Sequence, residues 1–246
     1  MEKENLIAIS QPSFFPWSGY FDLIDSVNIF VFLNDVKFSK QSWQIRNKIF
    51  VNKKSTWINL PIVNDSSSQL VNETKIINNK NNINKILKTI SQNYSKSKYY
   101  KTYYDEFEKK LIECSNYKFL DDLNIEMIKW FLKKIEIKTQ IFKSSDLDIN
   151  GNRSFRISKI CEKFKTFNYL SAYGALDYLK EDFEIFKEKK INVFLQNYEV
   201  AKYNQFSESF DGFVSILDML FNEGPKTLSI IRKSRKNKIS LLEKIN

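Results

Sequence analysis

Histidine is absent from the 246 residues, and cysteine occurs only twice. Without histidine the chain cannot build a Ser-His-Asp or Cys-His centre, or use imidazole as a general acid or base. Two cysteines cannot form a disulfide framework, and there is no paired Cys/His spacing for a structural zinc site. Chemistry in this chain therefore depends on carboxylates, tyrosine, lysine, cysteine or positioning alone.

Glycine and proline are also scarce, at 5 and 4 residues, whereas hydrophobic residues make up 42% of the chain and aromatic residues 15%. This composition excludes disordered and collagen-like chains, and the length allows a sizeable core. No apolar run reaches the about 18 residues of a membrane-spanning helix, and the first residues lack the pattern of a signal peptide. We therefore expect a cytoplasmic protein without a transmembrane segment.

The net charge of +10 is unevenly distributed, and only five of the 39 basic residues are arginine. Residues 226–246 contain seven basic residues and one acidic residue, which accounts for more than half of the net charge. We interpret the chain as a mildly basic domain with a basic C-terminal tail at about 226–246, and we predict no nucleic-acid partner.

Apolar runs of strand length alternate with amphipathic segments along the chain. The runs that predict buried strands are residues 6–10, 29–33, 139–143, 167–171 and 192–196. Amphipathic segments predict helices between them, at 20–25, 155–164 and 183–188. Residues 48–51 and 56–60 predict a hairpin. Strands that alternate with helices predict an α/β fold with a mixed, mainly parallel sheet.

Helical spacing of apolar residues also dominates the segment from about 80 to 136. It predicts two helices within 83–112, separated near 94–100, and a third at 120–135. Two more helices are predicted at 214–221 and 226–235. Because no repeat or change in composition marks a boundary, we predict a single domain, 1–246, with a helical insertion at about 80–136.

Three segments that follow predicted strands are unusually rich in functional side chains: residues 11–20, 34–47 and 144–148. Residues 11–20, a predicted turn, contain two prolines, one glycine and four aromatic residues. Residues 34–47 contain Asp35, Arg46 and Asn47 together with aromatic residues. Ligands of parallel α/β sheets bind at the carboxyl ends of strands. An arginine reads carboxylates or phosphates, and aromatic rings suit the faces of sugars or bases.

The same residues also have alternative interpretations in which their roles are structural. The aromatic cluster at 14–20 could equally be a small core under a loop, and Arg46 could be an ion-pair partner of Asp35. Cys161 lies on a predicted apolar helix face and is expected in the core, since no histidine is available to lower its pKa.

In order and spacing, several segments resemble the WbqC-like protein family along nearly the whole chain. The matching stretches are Gln11 to Phe21, Asn34 to Phe38, Trp43 to Asn47, Trp57 to Pro61, Tyr169 to Ala175, Tyr203 to Gln205 and Ser215 to Asn222. The family commonly has the sequence Asp-Asp-Val where this chain has Asn34-Asp35-Val36. This departure argues against a two-carboxylate mechanism or a metal site at that position.

The resemblance implies a role in the synthesis of surface polysaccharide such as O-antigen of lipopolysaccharide. Our leading hypothesis is a transferase that modifies a nucleotide- or lipid-linked sugar or amino sugar by acyl or aminoacyl transfer. Asp35 would be the general base and Arg46 would hold a phosphate or carboxylate. The residues expected to bind substrate are Gln11, Tyr20, Phe38, Trp43 and Asn47, followed by Ser145, Ser171, Tyr203 and Asp218, which lie in or near the second half.

Two other hypotheses remain open from the sequence. The absence of histidine and of a nucleophile motif suits a non-catalytic module that binds a glycan or sugar nucleotide within a biosynthetic complex. A nucleic-acid binder rests on the basic tail alone. We predict an activated sugar and an acyl donor as small-molecule partners, no metal and no tightly bound cofactor.

Overall fold

A computed structural model of the chain describes residues 5–39, 42–63, 69–77, 80–207 and 209–245. The strands in these residues are β1 (Leu6–Ser10), β2 (Ile29–Phe32), β3 (Arg46–Val51), β4 (Lys54–Asn59), β5 (Gln140–Lys143), β6 (Asn168–Ser171), β7 (Asn192–Leu195) and β8 (Ile239–Ser240). The helices are α1 (Ser18–Asp25), α2 (Lys80–Tyr94), α3 (Tyr100–Cys114), α4 (Leu120–Lys134), α5 (Arg153–Lys163), α6 (Leu176–Glu181), α7 (Phe183–Glu188), α8 (Ile216–Glu223), α9 (Thr227–Ser234) and α10 (Leu242–Ile245).

Six strands form the main sheet in the order β5-β2-β1-β6-β7-β8. The first five run parallel, and β8 pairs antiparallel with β7. The remaining strands, β3 and β4, form a separate antiparallel hairpin. The predicted fold class, an α/β domain with a mixed, mainly parallel sheet, is confirmed. None of the helices in the described ranges is long and apolar enough to span a membrane.

Alternating side chains of the central strands fill two separate cores, as the two-residue period of a strand requires. Ala8, Phe30 and Leu170 face a large core that also contains α1, the hairpin and the helices α2 to α4. Ile7, Val31 and Tyr169 and their neighbours face a smaller core against α5, α6 and α7. The segment expected as an insertion thus supplies most of the covering on one face of the sheet.

The hairpin differs from its predicted form because its turn is tighter. Only Asn52 and Lys53 separate the paired strands, and both have positive φ angles, of 50° and 65°. Two left-handed residues match the turn type that follows the natural twist of paired strands, and asparagine tolerates this conformation well. The strands therefore extend to Val51 and Lys54, closer together than the sequence predicted.

Other helix boundaries in the structure also differ from those predicted from the sequence. Helix α1 begins at Ser18, two residues earlier than predicted, and α6 was not predicted because only Leu179 in its six residues is buried. The basic residues after 226 do not form a solvated extension in the described part: Ile231 of α9 is fully buried, and β8 extends the sheet.

Candidate functional site

A cavity of about 920 Å³ opens at the carboxyl ends of β1 and β2. Gln11, directly after β1, and Asp35, three residues after β2, line it from the sheet. Helix α5 contributes its first turn, and Tyr178 of α6 closes one side. The other lining residues are Leu33, Val36, Lys37, Leu70, Gly151, Asn152, Arg153, Arg156 and Ile157.

The topology of the sheet explains why a cavity lies there. Strand β1 is central: the chain continues from it to β2 on one side, while β6 occupies the other side. Connections that leave in opposite directions open a crevice at the carboxyl ends of such strands, and ligands of doubly wound sheets bind in that crevice. The cavity is therefore where this fold class binds small molecules.

An ion pair between Asp35 and Arg156 lies against the cavity. Arg156 Nη2 donates to Asp35 Oδ2, and Nη1 donates to the Asp35 backbone oxygen over 3.1 Å. Ser144 Oγ, just after β5, donates to Asp35 Oδ1. The side chains of Arg156 and Asp35 are 10% and 20% exposed. Charge-assisted hydrogen bonds of this kind fix both groups, so the pair presents a preorganised polar surface.

Further positive charge surrounds this pair. Lys37 and Arg153 line the cavity and are exposed. Arg153 approaches Glu181 only at 4.0 Å, with both side chains at least 70% exposed, so this pair contributes little. The start of α5 adds the partial positive charge of a helix N-terminus. Three cationic side chains and one carboxylate therefore line a cavity that favours an anionic ligand.

Asn34 occupies a buried hydrogen-bond network beside Asp35. Its Nδ2 donates to Asp121 Oδ2 over 2.8 Å and to Ser145 Oγ over 3.1 Å, and its Oδ1 accepts from the Ser145 backbone N–H. Burial raises the pKa of Asp121, while the bond from Asn34 acts against that rise. The position needs donors on one side and an acceptor on the other, which only an amide supplies.

Arg46 does not pair with Asp35 in the described part of the chain. It lies on β3, where its guanidinium carbon is 4.5 Å from the ring centre of Trp57. Asp35 pairs instead with Arg156, which is 121 residues away in sequence. The interpretation of Arg46 as the ion-pair partner of Asp35 is therefore wrong, because α5 brings a different arginine to the carboxyl end of β2.

The aromatic residues predicted as walls of the site do not line this cavity. Tyr20 is buried against Phe21 and Phe30, and its hydroxyl donates to the Gln11 backbone oxygen over 3.0 Å. Phe38 is buried in the large core, whereas Trp43 is 47% exposed and lies beside Trp57. The hydrogen bond from Tyr20 thus fixes the backbone of Gln11 at the cavity.

Asn47 is fully engaged in the fold. Its Nδ2 donates to the backbone oxygens of Phe14 and Phe15 over 3.2 and 2.7 Å, and its Oδ1 accepts from the Lys48 N–H. Phe15 has a φ angle of 43°, a conformation that a bulky residue rarely adopts. Asn47 therefore stabilises the turn after β1.

Gly19, in the first turn of α1, has no side chain for a steric reason. A Cβ atom at this position would meet the indole of Trp17 at 2.3 Å. The ring therefore covers the start of α1 only because residue 19 has no side chain.

The remaining predicted residues fall into two places. Ser145 belongs to the Asn34 network, and Ser171 is buried at the end of β6, where it accepts a hydrogen bond from Tyr169 over 3.3 Å. Tyr203 and Asp218 meet elsewhere: the Tyr203 hydroxyl donates to Asp218 Oδ2 over 2.7 Å. Neither of these two residues lines the cavity.

Asp218 is fully buried within a cluster of neutral partners. Gln205 Nε2 donates to its Oδ2 over 2.9 Å, and Asn222 Nδ2 donates to its Oδ1 over 3.3 Å. Burial raises the pKa of Asp218 to about 6, although the hydrogen bonds from Tyr203, Gln205 and Tyr94 act in the opposite direction. This cluster ties the segment after β7 to α8.

Sequence reasoning missed Arg156, Lys37 and Tyr178. A signal for Arg156 existed: arginine is rare in this chain, and Arg156 follows the turn residues Gly151 and Asn152 at the start of a predicted helix. Such a helix start after a strand is a common anion site. Lys37 and Tyr178 had no comparable signal.

Neither cysteine has the environment of a nucleophile. Cys114 and Cys161 are fully buried, and burial raises the pKa of each thiol to about 12. Within the described ranges, no three acidic or cysteine side chains are grouped so that they could hold a metal ion.

The sheet and the cavity define an α/β protein with a cavity at the carboxyl ends of β1 and β2. Comparison of sequences adds the family: the model of the WbqC-like protein family matches residues 11–230, so the chain belongs to this family. It is also 28% identical over 231 residues to a Mycobacterium tuberculosis (strain ATCC 25618 / H37Rv) protein named Uncharacterized protein Rv1507c, covering 93% of this chain and 98% of the relative. No solved structure matches the chain.

Proposed function

We propose that the protein is a cytoplasmic transferase that modifies a nucleotide- or lipid-linked sugar, by acyl or aminoacyl transfer, in the synthesis of surface polysaccharide. The observation that carries this proposal is the cavity at the carboxyl ends of β1 and β2, with Lys37, Arg153 and Arg156 around Asp35. Activated sugars carry phosphates, and arginine side chains bind phosphates in a fixed geometry. The volume of about 920 Å³ suits a ligand of that size.

Asp35 is the proposed general base. It lines the cavity, and its carboxylate is positioned by Arg156 and Ser144. It would accept the proton of a sugar hydroxyl or amine as that group attacks the carbonyl carbon of an activated acyl donor. The new ester or amide bond forms as the bond to the donor's leaving group breaks, and Gln11 is placed to hydrogen-bond the sugar.

In this proposal Arg156 takes the role that the sequence suggested for Arg46. It lies at the cavity, whereas Arg46 lies on the hairpin against Trp57. Arg156 would hold the substrate's phosphate or carboxylate beside Asp35, and Arg153 and Lys37 would add charge at the rim.

One observation favours a second candidate, a non-catalytic module that binds a sugar nucleotide. Both carboxylate oxygens of Asp35 already accept hydrogen bonds, from Ser144 and Arg156. A carboxylate whose two oxygens are both occupied can serve to orient the arginine instead of taking a proton from the substrate. The two candidates predict different results for a substitution at Asp35.

The test combines binding and turnover with nucleotide sugars, using calorimetry and mass spectrometry of acyl transfer in extracts supplied with acyl donors. A transferase that uses Asp35 as its base loses at least a hundredfold in turnover in Asp35→Asn, while its affinity changes less than threefold. Arg153→Gln, at the rim, should reduce affinity only moderately. If no product forms with the wild type but the sugar nucleotide binds, the binding module is the correct function.

A further inference from the structure

Two tryptophans form an exposed pair beside the hairpin: Trp57 lies on β4, and Trp43 precedes β3. Trp43 and Trp57 are 47% and 39% exposed, and their ring centres are 5.2 Å apart at an interplanar angle of 49°. Large apolar side chains that remain together at a surface usually mark a binding site. We refer to Trp43, Trp57 and Arg46 as the tryptophan platform.

The register of the hairpin explains this surface. Lys48 pairs with Trp57, and Arg46 pairs with Asn59, so these four residues lie on the same face. The opposite face carries Asn47, Ile49 and Ile58, which are buried against the large core. On the first face Phe50 is buried in the large core, whereas Trp57 is exposed and Arg46 and Lys48 are partly exposed, so the end of that face away from the turn is available to a ligand.

Positive charge accompanies the rings. The guanidinium carbon of Arg46 lies 4.5 Å from the ring centre of Trp57, and Lys48 Nζ lies 5.5 Å from it. Stacking on the ring leaves the edge of a guanidinium free for hydrogen bonds. Lys48 is partly neutralised by Asp211, at 3.6 Å, whereas Arg46 has no carboxylate partner among the residues that the structure describes.

The chemistry of the platform fits an acidic glycan. Indole rings stack on the apolar C–H faces of sugar rings, and two adjacent indoles offer a surface for two neighbouring sugars. Arg46 supplies a fork that fits a carboxylate or phosphate substituent on one of them. A nucleic acid fits less well because its backbone needs several cations in a row, and here Asp211 lies beside Lys48.

A hydrogen bond connects the platform to the cavity. Gln44 follows Trp43 in sequence, and its Nε2 donates to Oε1 of Gln11, which lines the cavity. Asn124 from α4 holds the Gln44 backbone oxygen over 2.8 Å. The platform and the cavity thus share a fixed framework through residues 11 and 44.

We propose that the tryptophan platform binds an acidic glycan, the chain of a lipid-linked acceptor whose terminal sugar enters the cavity and is acylated there. As an acceptor site it rests on the proposed function, but glycan binding can be measured without turnover.

The probes are trigalacturonic acid, a uronic acid trimer, and the neutral maltotriose, titrated against the intact protein while tryptophan fluorescence is recorded. The wild type should bind both, the acidic trimer at least fivefold more tightly at low salt. Trp57→Ala and Trp43→Ala should each weaken binding at least tenfold. Arg46→Gln should abolish the preference for the acidic trimer and leave maltotriose binding unchanged.

Phe167→Ala is the matched control, since Phe167 is also 47% exposed but precedes β6. It should bind both probes as the wild type does, and Trp57→Tyr should retain part of the affinity. The proposal is overturned if neither probe binds, if Trp57→Ala binds normally, or if single-stranded RNA binds more tightly through Trp57 than the glycan. Loss of turnover in Asp35→Asn with normal trimer binding would support both proposals. Normal trimer binding without any transferase activity would contradict only the proposed function.

Discussion

Two aspartates of this protein occupy opposite environments. Asp35 lies at the cavity, 20% exposed, with an arginine bonded to its carboxylate. Asp218 is fully buried, and its hydrogen-bond partners are the neutral side chains of Tyr203, Gln205 and Asn222. A charged partner fixes the position of a carboxylate beside a ligand through charge-assisted hydrogen bonds, whereas burial among neutral side chains makes the ionisation of Asp218 costly. The first environment suits chemistry, and the second suits holding two segments together.

Removing the cation from Asp35 should have the largest effect. Arg156→Ala leaves a mostly buried carboxylate without its partner and should destabilise the protein by about 3 kcal/mol. Urea unfolding at pH 7 measures this change. Arg156→Met, which preserves most of the apolar volume, should recover only a small part of the loss.

Arg153→Ala is the matched control for this measurement. It removes an exposed cation on the same helix and should change stability by less than about 0.5 kcal/mol. If both variants lost a similar free energy of unfolding, the ion pair between Arg156 and Asp35 would contribute no more to stability than an exposed cation does.

Asp218 should make stability depend on pH in a defined direction. Its pKa is about 6 in the folded state because of burial, above the ordinary value of 3.8. The folded state thus keeps this proton at pH values where the unfolded state has lost it. The contribution of Asp218 is greatest below about pH 4 and is lost as the pH rises to about 6, by roughly 2–3 kcal/mol.

The difference between wild type and Asp218→Asn isolates this group from the other carboxylates. The free energies of unfolding of both proteins, measured from pH 4 to pH 8, should diverge in slope below about pH 6 and run parallel above it. If the two curves of unfolding free energy against pH ran parallel over the whole range, the folded state would not raise the pKa of Asp218.

The strands and the location of the cavity could be predicted from the sequence because both depend on local patterns. Apolar runs identified β1, β2 and β5 to β7, and the polar residues that follow β1 and β2 identified Gln11 and Asp35. Strand β8 was missed because two residues carry no recognisable period.

The partner of Asp35 could not be predicted because it depends on the packing of distant segments. Arg156 and Arg46 are chemically identical, and only the docking of α5 beside β2 selects the first. The hydrogen bonds of Asn47 could not be predicted for a related reason: the carbonyl groups of Phe14 and Phe15 accept from its Nδ2, and only the packing of the hairpin brings them together.

The smallest predicted effect comes from adding a third carboxylate, beside Asp35, where the family commonly has one. Asn34→Asp replaces the two donors of Nδ2 with an acceptor that faces Asp121 Oδ2, now 2.8 Å from the amide nitrogen. Repulsion and a lost buried hydrogen bond should cost about 1–2 kcal/mol at pH 7. Because the two carboxyl groups at positions 34 and 121 would bind a proton more readily in the folded state, the loss of stability should shrink as the pH falls toward 5.

Thermal unfolding at pH 7 and pH 5 tests this prediction. Asn116→Asp, at an exposed position, is the control. An Asn34→Asp protein as stable as the wild type at pH 7 would show that the network rearranges to accept the added carboxylate.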